Sequence, residues 1–315
     1  MSILKKALAA AVVAGLVSTV GVVPANAAPK NQARSVAQPD WLEANLDNPK
    51  VRIIEVSTEP GLYERGHIKN AIKFVWHTDL VDTVNRDIIN AKNFSKLVQK
   101  AGISDDTTVV LYGDKNNWFA AWGAWIFNIY GQKDVRVLDG GRVKWEKDGR
   151  ALTTAVPTFS AGNFVATKAD KAIRATLIND VLPVAKKRVK ADLVDIRGAD
   201  EFNGKIFAAP GFQELAVRAG HIPGAINVPW GANVNADGTF KTVAELKKLY
   251  ADKGIDGKQN IITYCRIGER SSLTWFVLSE ILGYNVKNYD GSWTEYGNSV
   301  GVPIVNNAGT IWGAA

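Results

Sequence analysis

The sequence predicts an α/β fold built from two tandem copies of one domain, each a parallel five-stranded sheet with helices on both faces. Three observations carry this reading. β-branched and aromatic runs, such as residues 51–56 and 107–112, alternate with segments of helical apolar spacing, the pattern of parallel strands joined by helices. The strand-like run at 261–264 answers that at 109–112 at a fixed offset of 152 (261 less 109), which also places Gly283 on Gly131. Gly220-His221-Ile222-Pro223-Gly224-Ala225-Ile226 likewise parallels Gly66-His67-Ile68-Lys69-Asn70-Ala71-Ile72. A period this long marks a duplicated domain, not a small-unit solenoid.

Along the chain, the first segment reads as a targeting leader. Lys5 and Lys6 precede an apolar, small-residue run from 7 to 23, and Ala25-Asn26-Ala27 fits a cleavage site. Cleavage after Ala27 leaves 288 residues (315 less 27), enough for two domains, and implies a secreted or periplasmic protein. The leader run is too short and too rich in Ala and Gly for a stable membrane span. Residues 28–38 are polar and aperiodic, a flexible lead-in. The first copy is placed at 39–153, with a helix at 41–46, a strand at 51–56, a strand-like piece at 71–75 and a helix at 93–101. The strand 107–112, a Trp-rich helix at 119–130 and the strand 135–138 complete it. Pro157, Gly162 and several Ser and Thr mark 154–172 as a linker. The second copy spans 173–305, with a strand at 191–196 and an insertion of about 14 residues around 204–213 relative to the first. Residues 306–315 form a tail.

Composition narrows the function. With 46% hydrophobic and 22% charged residues the chain is ordinary globular material. The net charge of +7 falls to +5 once the two leader lysines are gone, and the basic residues are scattered, which argues against nucleic acid and suits small anionic substrates. One cysteine excludes an intrachain disulfide, and one Cys with three dispersed His gives no metal-ligand spacing; no cofactor is implied.

That cysteine lies where the strand 261–264 breaks into Cys265-Arg266-Ile267-Gly268-Glu269-Arg270 and then into a helical run through Leu273, Phe276, Val277, Ile281 and Leu282. A strand–loop–helix unit aims backbone N–H groups and the positive end of a helix dipole into the loop. The Cys265 thiol is therefore expected to have a lowered pKa, strengthened by Arg266 and Arg270, which would also hold an anion. Gly268 supplies a positive φ and close approach. The duplication acts as a control: the first copy has Gly113 in place of Cys265 and Asp114 next, so Cys265, Arg266, Gly268 and Arg270 are candidates for chemistry. Gly-His-Ile and the Asp-Gly elements after the last strand occur in both copies and read as structural turns.

Tandem α/β copies, Gly-His-Ile-Pro-Gly-Ala before a strand, a Cys loop in the second copy alone and Tyr289-Asp290-Gly291-Ser292-Trp293 after it resemble the tandem rhodanese-type sulfurtransferases over roughly 39–303. The resemblance implies an active site near the domain interface and a six-residue catalytic loop, here 265–270. Its nucleophile, Cys265, would take a sulfane sulfur as a persulfide and pass it to a thiophilic acceptor such as cyanide or a thiol. Arg266, Ile267, Gly268, Glu269 and Arg270 would form the substrate site. A Cys-Arg-x-Gly loop is similar to those of thiosulfate users, whereas Cys-Gly-x-Gly marks mercaptopyruvate users. Two features depart from the family pattern. Glu269 would oppose an anion unless it turns away or pairs with an arginine. Asp195-Ile196-Arg197-Gly198-Ala199-Asp200-Glu201 carries acids where some relatives have a substrate-binding base, so Asp195 and Arg197 are expected to pair structurally. Trp230, Trp275 and Trp293 are expected in the core or as pocket walls.

Competing chemistries fit less well. A Cys-dependent phosphatase or arsenate reductase has Arg six places after Cys, where Ser271 stands here. A Cys–His protease or acyl transferase needs an imidazole base, and His67 and His221 are accounted for by the repeat. A cell-envelope persulfide carrier serving a protein partner stays open beside the enzyme.

Overall fold

The computed structural model describes residues 32–213 and 215–312, so the leader and its cleavage point lie outside the described residues. The first domain holds β1 (Val36–Ala37), β2 (Val51–Glu55), β3 (Ala71–Lys73), β4 (Val81–Asp82), β5 (Asp87–Ile88), β6 (Thr108–Tyr112) and β7 (Asp134–Leu138). Five of these form a parallel sheet in the order β1-β7-β6-β2-β3, while β4 and β5 make a short antiparallel ribbon. The second domain holds β8 (Asp192–Asp195), β9 (Ile226–Asn227), β10 (Ile261–Tyr264) and β11 (Val286–Asn288), parallel in the order β11-β10-β8-β9. In each sheet the strand leading to the Cys265 position, β6 or β10, lies inside and is buried along its apolar run, as a sheet covered on both faces requires.

Two expectations change here. The lead-in is not wholly irregular: Val36 and Ala37 pair with Val137 and Leu138 as the edge strand β1 and are buried. The second sheet has four strands, not five. Its missing edge survives as one parallel bridge, Arg174 to Asn288, in which the Ala175 N–H donates to the Asn288 carbonyl (3.0 Å) and the Asn288 N–H to the Ile173 carbonyl (3.0 Å). Arg174 leaves that edge to form ion pairs with Asp87 and Asp290, and the strand goes no further.

Shared features of the repeat take matching places. His67 stacks on Tyr63 and His221 on Phe202, ring centroids 3.7 and 3.6 Å apart, and each sits in an antiparallel bridge to the end of its own domain. Gly131 and Gly283 both have φ in the left-handed region, +86° and +74°. The segment 154–170 holds no helix or strand and packs Phe164 into the first domain.

The two domains share a core. Helix α1 (Trp118–Ile129) is buried along its length except at Asn128, and it packs against α2 (Glu269–Phe276), all of whose residues are buried. One apolar cluster accordingly runs from Val56, Trp122 and Trp125 to Cys265, Leu273, Trp275 and Phe276. Trp275 and Trp293 are core residues, whereas Trp230 packs edge-on against Trp118 of the other domain at 4.7 Å.

Candidate active site

Cys265 follows β10 at the carboxyl end of the sheet, where open α/β folds place ligands. The turn it opens is short because Gly268, at φ +101°, already caps α2. A Cβ at Gly268 would stand 2.7 Å from the Asp290 backbone and 2.8 Å from the Trp122 ring, so glycine is required by both φ and space.

Every carbonyl of the turn is drawn outward. The Cys265 and Arg266 carbonyls accept the N–H groups of Trp293 (3.1 Å) and Thr294 (2.9 Å). The Ile267 carbonyl accepts from the Arg86 guanidinium of the first domain (3.1 Å), which also reaches the Asp290 carbonyl (3.3 Å). The Gly268 carbonyl accepts from the hydroxyls of Ser271 (3.0 Å) and Ser272 (2.8 Å). With its carbonyls occupied elsewhere, the turn can aim N–H groups inward, and the Gly268 N–H donates to Cys265 Sγ at 3.1 Å.

Ser292 anchors the turn from behind. Its Oγ accepts the Cys265 N–H (3.1 Å) and donates to the Tyr289 carbonyl (2.7 Å), although its φ is +50°. In the first copy the matching residue is Gly141, at φ +55°, and Asn117 Oδ1 accepts the N–H of Gly113, which replaces Cys265 (3.0 Å). The second copy thus keeps a non-glycine residue in a left-handed conformation where its hydroxyl serves the cysteine.

The electrostatics correct the expected thiolate. Cys265 is fully buried, and burial pushes its thiol above the ordinary value; the Glu269 carboxylate, 3.6 Å from Sγ and itself buried, pushes the same way. Arg270 and the N–H and hydroxyl of Ser271 pull it down without prevailing. Glu269 neither turns away nor takes an arginine as its hydrogen-bond partner: the thiol donates to it. Arg270 is committed instead to Glu201, at 3.2 and 3.3 Å, with both side chains buried.

The loop residues therefore divide. Cys265, Gly268, Glu269 and Arg270 surround the sulfur. Ile267, half-buried, gives its carbonyl to Arg86. Arg266, half-buried, reaches the insertion, donating from Nη1 to the Gln213 carbonyl (2.8 Å). The Phe212 ring of that insertion lies 5.8 and 5.9 Å from the guanidinium carbons of Arg266 and Arg270. Asp195 and Arg197 form the expected buried pair, at 2.6 Å. Sequence reasoning missed Glu201, Ser292 and Arg86. Ser292 could have been found from the copy comparison, since Gly141 answers it; Arg86 carries no local signal. Among the described residues no cluster of three or more His, Cys, Asp or Glu could hold a metal, and no helix is long and apolar enough to cross a membrane.

Known proteins resemble this chain along most of its length. The rhodanese-like domain family matches twice, at residues 38–148 and 182–299. A Mycolicibacterium smegmatis protein named "Putative thiosulfate sulfurtransferase" is 52% identical over 267 residues, covering 84% of this chain and 95% of that one. The sulfur carrier protein TtuD of Thermus thermophilus is 52% identical over 269 residues, covering 84% and 94%. The crystal structure of SseA from Escherichia coli, described among 3-mercaptopyruvate sulfotransferases, superposes with a TM-score of 0.70 at 27% identity, covering 82% of this chain and 98% of that one. By its duplicated fold, its single cysteine loop and these relationships, the chain belongs to the rhodanese-like family of tandem sulfurtransferases.

Proposed function

We propose that the protein is a thiosulfate sulfurtransferase that works by a ping-pong mechanism through a persulfide on Cys265. The observation that carries this is the sole cysteine, buried at the end of β10 with the Gly268 N–H 3.1 Å from its sulfur. The thiolate attacks the sulfane sulfur of the donor and sulfite leaves; the persulfide then gives its outer sulfur to cyanide or a thiol. Gly268 and Ser271 stabilise the anionic sulfur in both states. Because Arg270 is tied to Glu201, Arg266 is the first contact for the donor sulfonate, and its Nε is a buried donor with no hydrogen-bond partner. The arginine after Cys265 and the names of the relatives favour thiosulfate over 3-mercaptopyruvate. The first domain is silent and contributes Arg86 and Trp122 to the loop and Trp118 against Trp230 and the insertion's Phe212. The leader supports export to the periplasm or beyond.

Replacing Cys265 with Ser is expected to abolish thiocyanate formation from thiosulfate and cyanide while leaving the circular dichroism spectrum unchanged. Residual turnover by the folded variant would remove Cys265 from the mechanism. A second reading, delivery to a protein acceptor, is favoured by the exposed Phe212 and Leu215 on the insertion beside the loop and by the carrier relative. Persulfide formation without turnover to cyanide would select it.

A further inference from the structure

We propose that Glu269 is the base that takes the proton from Cys265 and returns it to the departing sulfite, a role that rests on Cys265 being the nucleophile. The geometry is specific. Glu269 is the first residue of α2, and its Oε2 lies 3.6 Å from Cys265 Sγ, with the thiol as donor. Both side chains are buried, at 0% and 3% exposure, so bulk water is not at hand to take the proton. The three histidines do not compete. His67 and His221 hold backbone carbonyls within their own domains, and His77 lies in the helix Trp76–Asp79 of the first.

A fixed charge beside a thiol that must ionise opposes the reaction; a carboxylate that accepts the proton does not. In the resting state the S–H bond points to Glu269. When the donor enters, that bond breaks and an O–H bond forms on Glu269, converting a neutral thiol and a carboxylate into a thiolate and a neutral acid. The thiolate forms a new S–S bond to the sulfane sulfur. The S–S bond of thiosulfate breaks, its electron pair leaves with sulfite, and the Glu269 proton leaves as hydrogen sulfite. The site's total charge is unchanged by the transfer, and the carboxylate that would repel a dianionic donor is neutral when attack occurs.

The other groups around the sulfur have fixed tasks. Arg270 is paired with Glu201 from the helix Ala199–Phe202, and Arg266 points to the insertion. On the far side Arg86 holds backbone carbonyls, and Asp290 is paired with Arg174. Among the described residues, Glu269 is thus the carboxylate in contact with the sulfur.

The test is single-turnover sulfite release from thiosulfate, followed from about pH 5 to 10, alongside alkylation of Cys265 by the neutral reagent iodoacetamide. Two roles for Glu269 give opposite signs. As a base, its replacement Glu269→Gln slows sulfite release about tenfold or more near pH 7, with the rate recovering toward wild type once hydroxide ionises the thiol. As a mere charge, the same substitution lowers the thiol pKa and speeds both reactions near pH 7; that acceleration, or an unchanged profile, overturns the proposal. The Cys265→Ser variant separates this from the nucleophile assignment: if it still releases sulfite, the assignment itself falls, whatever Glu269 does. Should Glu269→Gln fail to fold, Glu269→Asp keeps a carboxylate one methylene further from the sulfur. It is expected to be slower than wild type near pH 7 and equal at high pH, and equal rates throughout would overturn the base role.

Discussion

At Arg270 the buried pair with Glu201 stands against the donor-binding role expected of it. The pair is buried on both sides, so its guanidinium charge is largely spent within the protein. Glu201→Gln keeps the shape and a hydrogen-bond acceptor but releases the charge. It is expected to cost about 1–3 kcal/mol of stability by urea unfolding and to lower the KM for thiosulfate while leaving that for an uncharged donor unchanged; equal changes for both donors would place Arg270 away from the donor. His221 sets a pH limit. Burial holds its imidazole below the ordinary value, with Nδ1 donating to the Phe202 carbonyl at 2.7 Å. The unfolded chain then binds the proton more readily, so stability is full above about pH 6.5 and falls as the pH drops through the lowered folded value. Urea midpoints measured between about pH 7 and 5 should fall less in His221→Gln than in the wild type; parallel slopes would exclude His221 as a source. The sequence showed Cys265 and its loop because the first copy lacks them. It could not show the Arg270–Glu201 pair, because that contact joins positions 69 residues apart and leaves no periodic trace.

The strand–turn–helix element depends on one glycine and one serine. Gly268→Ala must place a Cβ against Asp290 and Trp122 and hold alanine at φ +101°. A loss of about 1–3 kcal/mol in urea unfolding is expected, together with a larger loss in the rate of sulfite release. Full activity would show that the turn relaxes freely. The helix and strand flanking the turn were legible from apolar spacing, and so was the need for glycine. The direction of the thiol shift was not. The helix dipole and two arginines argue for a thiolate, but the outcome depends on burial and on Glu269 facing the sulfur, and both belong to the packed structure. The fifth strand of the second sheet was likewise beyond the pattern, because Arg174 abandons the edge for partners in two other segments.

Across the molecule, the duplication was legible as a repeat of motifs, but the fusion of the copies was not. Apolar spacing shows that α1 and α2 are buried without showing that they bury each other. Trp125 is fully buried, and its indole N–H donates to the Ile173 carbonyl across the linker (3.0 Å). A shared core predicts one cooperative unfolding transition, with tryptophan fluorescence and Cys265 reactivity changing together. Trp125→Ala should lower stability by about 3–5 kcal/mol for the whole chain. Two separate transitions would show that the domains fold independently. The first copy then matters to the chemistry through Arg86 and Trp122, which reach the loop it does not itself contain. The most direct measurement is the mass of the intact protein after brief exposure to thiosulfate, with peptide mapping of the modified residue. One added sulfur atom on Cys265, removed by cyanide as thiocyanate, is the predicted result. An unmodified Cys265 in a protein that still turns thiosulfate over would contradict it.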